Sequence, residues 1–249
     1  MNKLMGISIY IADMRSLPLA EQYEQILGCL PEEDRNKSQS FIRQADRVRS
    51  AVGALMIRHG VELELAKRGL INPPLDESLH SNRHSPDGPV GMYNIVKNEY
   101  GKPHVKEYTD IHFSLSHSGE MIVYAKSDKP VGIDVEKICD IDIMEFESYL
   151  TESDKRFIES SSPKDKLKLF YYVWTIREAF AKEVEIGLSV FDNDDVYIDY
   201  ENERIIYLGR ELMCRTFLAD DHVISLCAEN ITQGLELHFI TRKEWNDYY

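Results

Sequence analysis

The chain has 249 residues, enough for one large core or two small ones, and its 43% hydrophobic and 29% charged residues describe an ordinary globular protein and exclude a disordered one. No stretch reaches the ~18 apolar residues of a membrane span. A formal net charge of −14 argues against nucleic acid as the main partner.

The first segment, MNKLMGISIYIADM, carries one Lys and a short apolar run broken by Asp13, with no small-residue cleavage site after it. It reads as a strand over Met5–Ile11 and not as a signal peptide, so the cytoplasm is the expected compartment. Pro18 suits a helix start, and a helix is expected to run to about Leu30. A longer helix is expected over roughly Asp46–Lys67, where Val48, Val52 and Leu55 fall on one face. Between and across these lies a basic run, Arg35, Lys37, Arg43, Arg47, Arg49 and Arg58 against Asp46 alone. By itself such a run is an ordinary solvated helix face.

The stretch Asn72–Pro89, with Pro73, Pro74, Pro86, Gly88 and Pro89, predicts a long loop. Tyr100-Gly101-Lys102-Pro103 is a turn signal. Ile111–Ser116, Met121–Lys126 and Val131–Glu136 predict short strands. Thr151 with Asp154 resembles a capping box. The strongest helical signal covers Lys164–Val184, with Phe170, Trp174, Arg177 and Ala181 three to four residues apart. Val196–Tyr200 and Arg204–Leu208 predict a hairpin, and Val223–Glu229 and Leu235–Thr241 two more strands. The order predicts an α+β protein with one long helix and several strands in each half, residues 1–110 and 111–249. The four cysteines, Cys29, Cys139, Cys214 and Cys227, form no C-x-x-C pair and are expected to be buried free thiols.

Three clusters can carry chemistry. In Gly132-Ile133-Asp134-Val135-Glu136, strand alternation puts Asp134 and Glu136 on one face, roughly 7 Å apart, with Ile133 and Val135 toward the core. Two carboxylates so placed repel each other unless a cation lies between them, and hard oxygen ligands suit Mg²⁺. A half-exposed acidic strand would explain the pattern equally well. In Trp174-Thr175-Ile176-Arg177-Glu178-Ala179-Phe180-Ala181-Lys182, positions 174, 178 and 182 share a helical face, which a surface Glu–Lys pair also explains. In Phe113-Ser114-Leu115-Ser116-His117-Ser118-Gly119, Ser116 and His117 point to opposite faces of a strand, so they are not a nucleophile–base pair. The pattern G-x-S-x-G is missing too. Hydroxyls and an imidazole at a strand end can instead contact phosphate oxygens, or simply belong to a turn.

Taken in order, G-K-P, F-S-L-S-H-S, G-I-D-V-E and W-T-I-R-E-A-F-A-K resemble the 4′-phosphopantetheinyl transferases of the surfactin-synthetase-activating type, over about residues 35–190. The resemblance implies transfer of phosphopantetheine from coenzyme A to a serine of an apo acyl or peptidyl carrier protein, releasing 3′,5′-ADP, as in holo-[acyl-carrier-protein] synthases. It implies a pseudo-dimer of two similar α/β halves in one chain with coenzyme A between them, and hence a monomer without membrane or nucleic-acid partners. By position, Asp134, Glu136 and Glu178 are the implied Mg²⁺ ligands. Glu178 is also the implied general base, and Lys182 neutralises charge on the pyrophosphate. Ser116, His117, Lys102 and Arg177, with Arg35, Lys37 and Arg49 near the 3′-phosphate, are the implied coenzyme A contacts. Arg177 stands where the family usually has Lys, Ser114 where Asn is common, and the loop Asn72–Val90 is longer than typical. A non-catalytic binder of coenzyme A or carrier, or a Mg²⁺-dependent pyrophosphohydrolase acting on coenzyme A, would share much of this pattern.

Overall fold

A computed structural model describes residues 6–71, 93–192, 195–231 and 234–246. The expected loop 72–90 lies outside the described residues. Strand β1 (Ile7–Asp13) is followed by helices α1 (Tyr23–Gly28), α2 (Glu32–Gln39) and α3 (Gln44–Lys67). A small hairpin follows, β2 (Ile95–Lys97) and β3 (Pro103–Val105). Then come β4 (His112–Ser118), β5 (Met121–Ser127) and β6 (Val131–Lys137). After a 3₁₀ turn, Ile143–Tyr149, come α4 (Glu152–Glu159) and α5 (Lys166–Val184). The chain ends with β7 (Val196–Asp199), β8 (Arg204–Tyr207), β9 (Arg210–Ala219), β10 (His222–Ala228), β11 (Leu235–Phe239) and α6 (Arg242–Asn246).

The α+β class is as expected, in two main sheets with orders β11-β1-β5-β4 and β6-β10-β9-β8-β7. The sheet changes between β5 and β6. The pairing of β1 with β5, and of β5 with β4, keeps residues 112–127 in the first sheet. The last strand also returns there, β11 pairing parallel with β1. Each sheet packs on one long helix. Val48, Val52 and Leu55 of α3 enter the first core, and Phe170, Val173, Ile176 and Phe180 of α5 enter the second. A third cluster, from Ile9 and Val123 to Ile133 and Leu226, joins the two sheets.

Thr151 does cap α4. Its hydroxyl accepts from the Asp154 N–H at 3.3 Å, and the Asp154 carboxylate accepts from the Thr151 N–H at 2.7 Å. The helix expected from Pro18 begins only at Tyr23, after a hydrogen-bonded turn from Gln22 N–H to the Pro18 carbonyl. Acidic residues 32–34 and Lys37 lie at the favourable ends of α2, which the basic run conceals in sequence.

The cysteines depart from expectation. Cys214 and Cys227 stand directly opposite on β9 and β10, with Cα atoms 4.4 Å apart, and form a disulfide. Only the strand register brings them together; their separation of 13 residues in sequence says nothing about it. Cys29 and Cys139 are not in a disulfide among the described residues, and Cys139 is exposed.

Candidate active site

Strands β4 and β6 are edge strands of different sheets that run side by side. They are joined through serines at alternate positions of β4. Ser114 Oγ accepts from the Ile133 N–H at 3.1 Å. Ser116 Oγ donates to Asp134 Oδ1 at 2.7 Å. Ser118 Oγ donates to Glu136 Oε2 at 2.7 Å and accepts from the Lys137 N–H at 3.1 Å. The period of two thus places three hydroxyls of one strand against two acids and two amides of the other. Ile133 and Val135, the intervening residues of β6, are fully buried as expected.

Helix α5 crosses behind β6 at its glycine. A Cβ at position 132 would lie 1.9 Å from the Ala179 carbonyl oxygen and 2.6 Å from the Glu183 nitrogen, so only glycine permits this approach. The contact brings Glu178 and Lys182 to the acids of β6. Lys182 Nζ donates to Asp134 Oδ1 at 2.7 Å and to Ser116 Oγ at 3.0 Å. Its partner is therefore Asp134, and not Glu178 one turn away. Asp134 is 3% exposed, and its Oδ2 is buried without a hydrogen bond.

The charge balance is visibly strained. Burial and then the Asp134 charge push the Glu136 carboxyl up to about 7, and Glu178 adds to this. Burial and then Asp134 also raise the Glu178 carboxyl, against the pull of Lys182 and Arg177. Three acids thus repel one another with one lysine among them. Among the described residues no group of three or more His, Cys, Asp or Glu side chains is gathered tightly enough to hold a metal ion as it stands.

The other expected contacts are spread around this centre. His117 faces away from Asp134, as alternation requires; desolvation and then the Arg49 charge lower its pKa. The Arg49 guanidinium donates to the Gly119 carbonyl and to Asp46. Lys102 donates to the Val131 carbonyl at 3.1 Å and pairs with Glu185 at 3.0 Å; burial lowers its pKa. Arg35 donates to the Leu30 carbonyl at 2.9 Å. Lys37 lies on α2 with its pKa lowered by burial and then by Lys97.

Arg177 is not with them. It is 3% exposed, donates to Asp154 at 2.5 Å and to the Tyr149 carbonyl at 2.7 Å, and stacks on Phe191 at 3.6 Å. A planar fork with several donors suits this buried junction between α5 and α4. Ser118 and Gly132 were not singled out in the sequence, although the S-x-S-x-S alternation of residues 114–118 is the signal for the first. A cavity of about 230 Å³ lies elsewhere, between α3 and the β1–β5 face, lined by Tyr10, Met56, His59, Tyr124, Lys126 and His238 among others. It borders none of these acids.

An acid cluster held by serines and a lysine attracts a cation, and the further cations on the neighbouring helices and hairpin can pair with anionic groups. Residues 130–227 match the 4′-phosphopantetheinyl transferase superfamily, and the curated proteins that the chain resembles are 4′-phosphopantetheinyl transferases. It is 32% identical over 176 residues to the 4′-phosphopantetheinyl transferase gsp of Aneurinibacillus migulanus, covering 70% of this chain and 65% of that one. It is 28% identical to a 4′-phosphopantetheinyl transferase of Bacillus subtilis, covering 88% and 91%. It is 26% identical to 4′-phosphopantetheinyl transferase Sfp of Bacillus subtilis strain 168, covering 68% and 66%. The match spans just under two thirds of the length of the first and third of these relatives.

Proposed function

We propose that this chain transfers the 4′-phosphopantetheine moiety of coenzyme A to a serine hydroxyl of an apo acyl or peptidyl carrier protein, giving holo carrier protein and 3′,5′-ADP. The observation that carries this reading is the meeting of Asp134, Glu136, Glu178 and Lys182 at the β4–β6 seam, in a chain that resembles this family.

Mg²⁺ fits the donor set. All the candidate ligands are hard carboxylate oxygens, Asp134 Oδ2 is buried without a partner, and burial and then the Asp134 charge raise the carboxyls of Glu136 and Glu178, a repulsion that a divalent cation would relieve. When bound, the ion would act as Lewis acid and template for the coenzyme A pyrophosphate. The chain's own residues do the rest. Ser116 and Ser118 fix Asp134 and Glu136 by hydrogen bonds. Glu178, whose carboxyl burial and then the Asp134 charge make more basic than an ordinary glutamate, takes the proton from the carrier serine. The serine oxygen then bonds to the pantetheine-side phosphorus as the bond to the nucleotide-side phosphate breaks. Lys182 shifts from Asp134 to offset the charge gathering on the leaving 3′,5′-ADP.

Lys102, His117, Lys37, Arg35 and Arg49 are the proposed nucleotide and 3′-phosphate contacts. The two sheets, each on its long helix, support a pseudo-dimer with coenzyme A held between them; a monomer and the cytoplasm are the proposed state and compartment. No helix among the described residues is long and apolar enough to cross a membrane.

The test mixes the protein with coenzyme A, Mg²⁺ and a panel of apo carriers, and reads carrier mass. One added phosphopantetheine, lost with Glu178→Ala, is the expected result. Cleavage of coenzyme A at the same rate with no carrier present would replace transfer with pyrophosphate hydrolysis.

A further inference from the structure

The turn after β4 is gripped by a residue that none of these roles uses. Ser118 Oγ holds Glu136, and the Ser118 carbonyl oxygen lies 3.1 Å from His222 Nε2. His222 is fully buried and opens β10, opposite Lys137 of β6. It reaches the turn from the second sheet. A carbonyl oxygen only accepts, so Nε2 carries a proton and donates it there. The other ring nitrogen, Nδ1, lies 2.8 Å from Asp221 Oδ1 without a hydrogen bond to it. The fit is tight: a Cβ on Gly119, which has φ +54, would come within 2.9 Å of Nε2. Arg49 takes the next carbonyl, that of Gly119, from the opposite side.

We infer that His222 is a positioning residue for the acid site: by clamping the Ser118 carbonyl it fixes the Ser118 hydroxyl, and through it the aim of Glu136. The inference rests on Glu136 being a metal ligand. A glutamate has three side-chain torsions, and one hydrogen bond narrows its reach only if the donor itself is immobile. Ser118 ends its strand and adjoins a left-handed glycine, so its backbone needs such a clamp. Asp134 needs none, because Ser116 lies within β4 and Lys182 adds a second donor.

The experiment measures Mn²⁺ binding by electron paramagnetic resonance on the whole chain with coenzyme A present, beside thermal midpoints. His222→Asn keeps a polar side chain too short to reach the Ser118 carbonyl, whereas His222→Gln places an amide donor near the old Nε2. The Asn variant should weaken Mn²⁺ binding about tenfold, in the range for residues that orient metal ligands, and the Gln variant should recover most of it. Adding His222→Asn to Ser118→Ala should cost no more than Ser118→Ala alone, because both act through one hydroxyl. Glu136→Gln is the control. Loss of Mn²⁺ in Glu136→Gln with unchanged binding in His222→Asn overturns the positioning role and leaves the metal reading standing. So does equal weakness of the Asn and Gln variants, or full additivity with Ser118→Ala. Unchanged binding in Glu136→Gln removes the metal reading itself, and the role of His222 with it.

Discussion

Lys182 Nζ lies 2.7 Å from Asp134 Oδ1, so the lysine of α5 already neutralises the acid that β6 offers to a cation. On the proposed role of Asp134, lysine and metal compete for one carboxylate. Lys182→Met should abolish transfer yet make the folded protein depend more on Mg²⁺. In chelator its stability should fall by about 1–3 kcal/mol, the cost of leaving a buried polar group unpaired. Millimolar Mg²⁺ should restore more of that than it adds to the unsubstituted protein, as read by denaturant unfolding.

Glu136 predicts a pH dependence in the metal-free protein. Its carboxyl is raised from 4.5 to about 7 by burial and by Asp134. An acid with a higher pKa folded than unfolded holds its proton more tightly when folded. Its contribution is therefore full below about 4.5 and is lost as pH rises to about 7. In chelator, Glu136→Gln should gain stability over the unsubstituted protein across that window. A stability difference that stays flat from pH 4.5 to pH 7 would contradict the raised value.

Gly132→Ala drives a methyl group into the α5 backbone at Ala179 and Glu183. Helix and strand must separate, and overpacking of this kind costs about 1–3 kcal/mol. The same movement shifts Glu178 relative to Asp134. Transfer should therefore fall further than the loss of folded protein explains, measured as kcat on samples held well below their thermal midpoint.

Arg177→Lys restores the residue common in the family, and in this chain it should do harm. Lysine cannot serve Asp154 and the Tyr149 carbonyl as a fork or stack equally well on Phe191. A loss of about 1–3 kcal/mol in stability is expected, with KM for coenzyme A nearly unchanged. A large rise in KM would place Arg177 at the ligand.

Much of this was legible in the chain. Period-two alternation placed Asp134 and Glu136 on one face and separated Ser116 from His117. Spacing by four put Glu178 and Lys182 on one side of α5, and Thr151 announced the start of α4. What escaped was whatever depends on two distant segments meeting. No local pattern pairs Cys214 with Cys227, brings β11 beside β1, or tells Arg177 that Asp154 will be its neighbour. Two of these are matters of strand register and one of helix packing, set by the whole core. The Ser114, Ser116 and Ser118 series was visible as a period, but its partners on β6 became meaningful only when two sheet edges met.

The return of β11 to β1 bears on how the protein is made. Residues 131–228 hold every strand of the second sheet, together with α4 and α5. The first sheet begins at Ile7 yet gains its last strand only with Phe239, and its core closes over Ile240 and Trp245. On the ribosome the later-synthesised sheet therefore has all its strands first. The earlier one must wait, with the β1 edge unpaired, until the C-terminal segment has emerged.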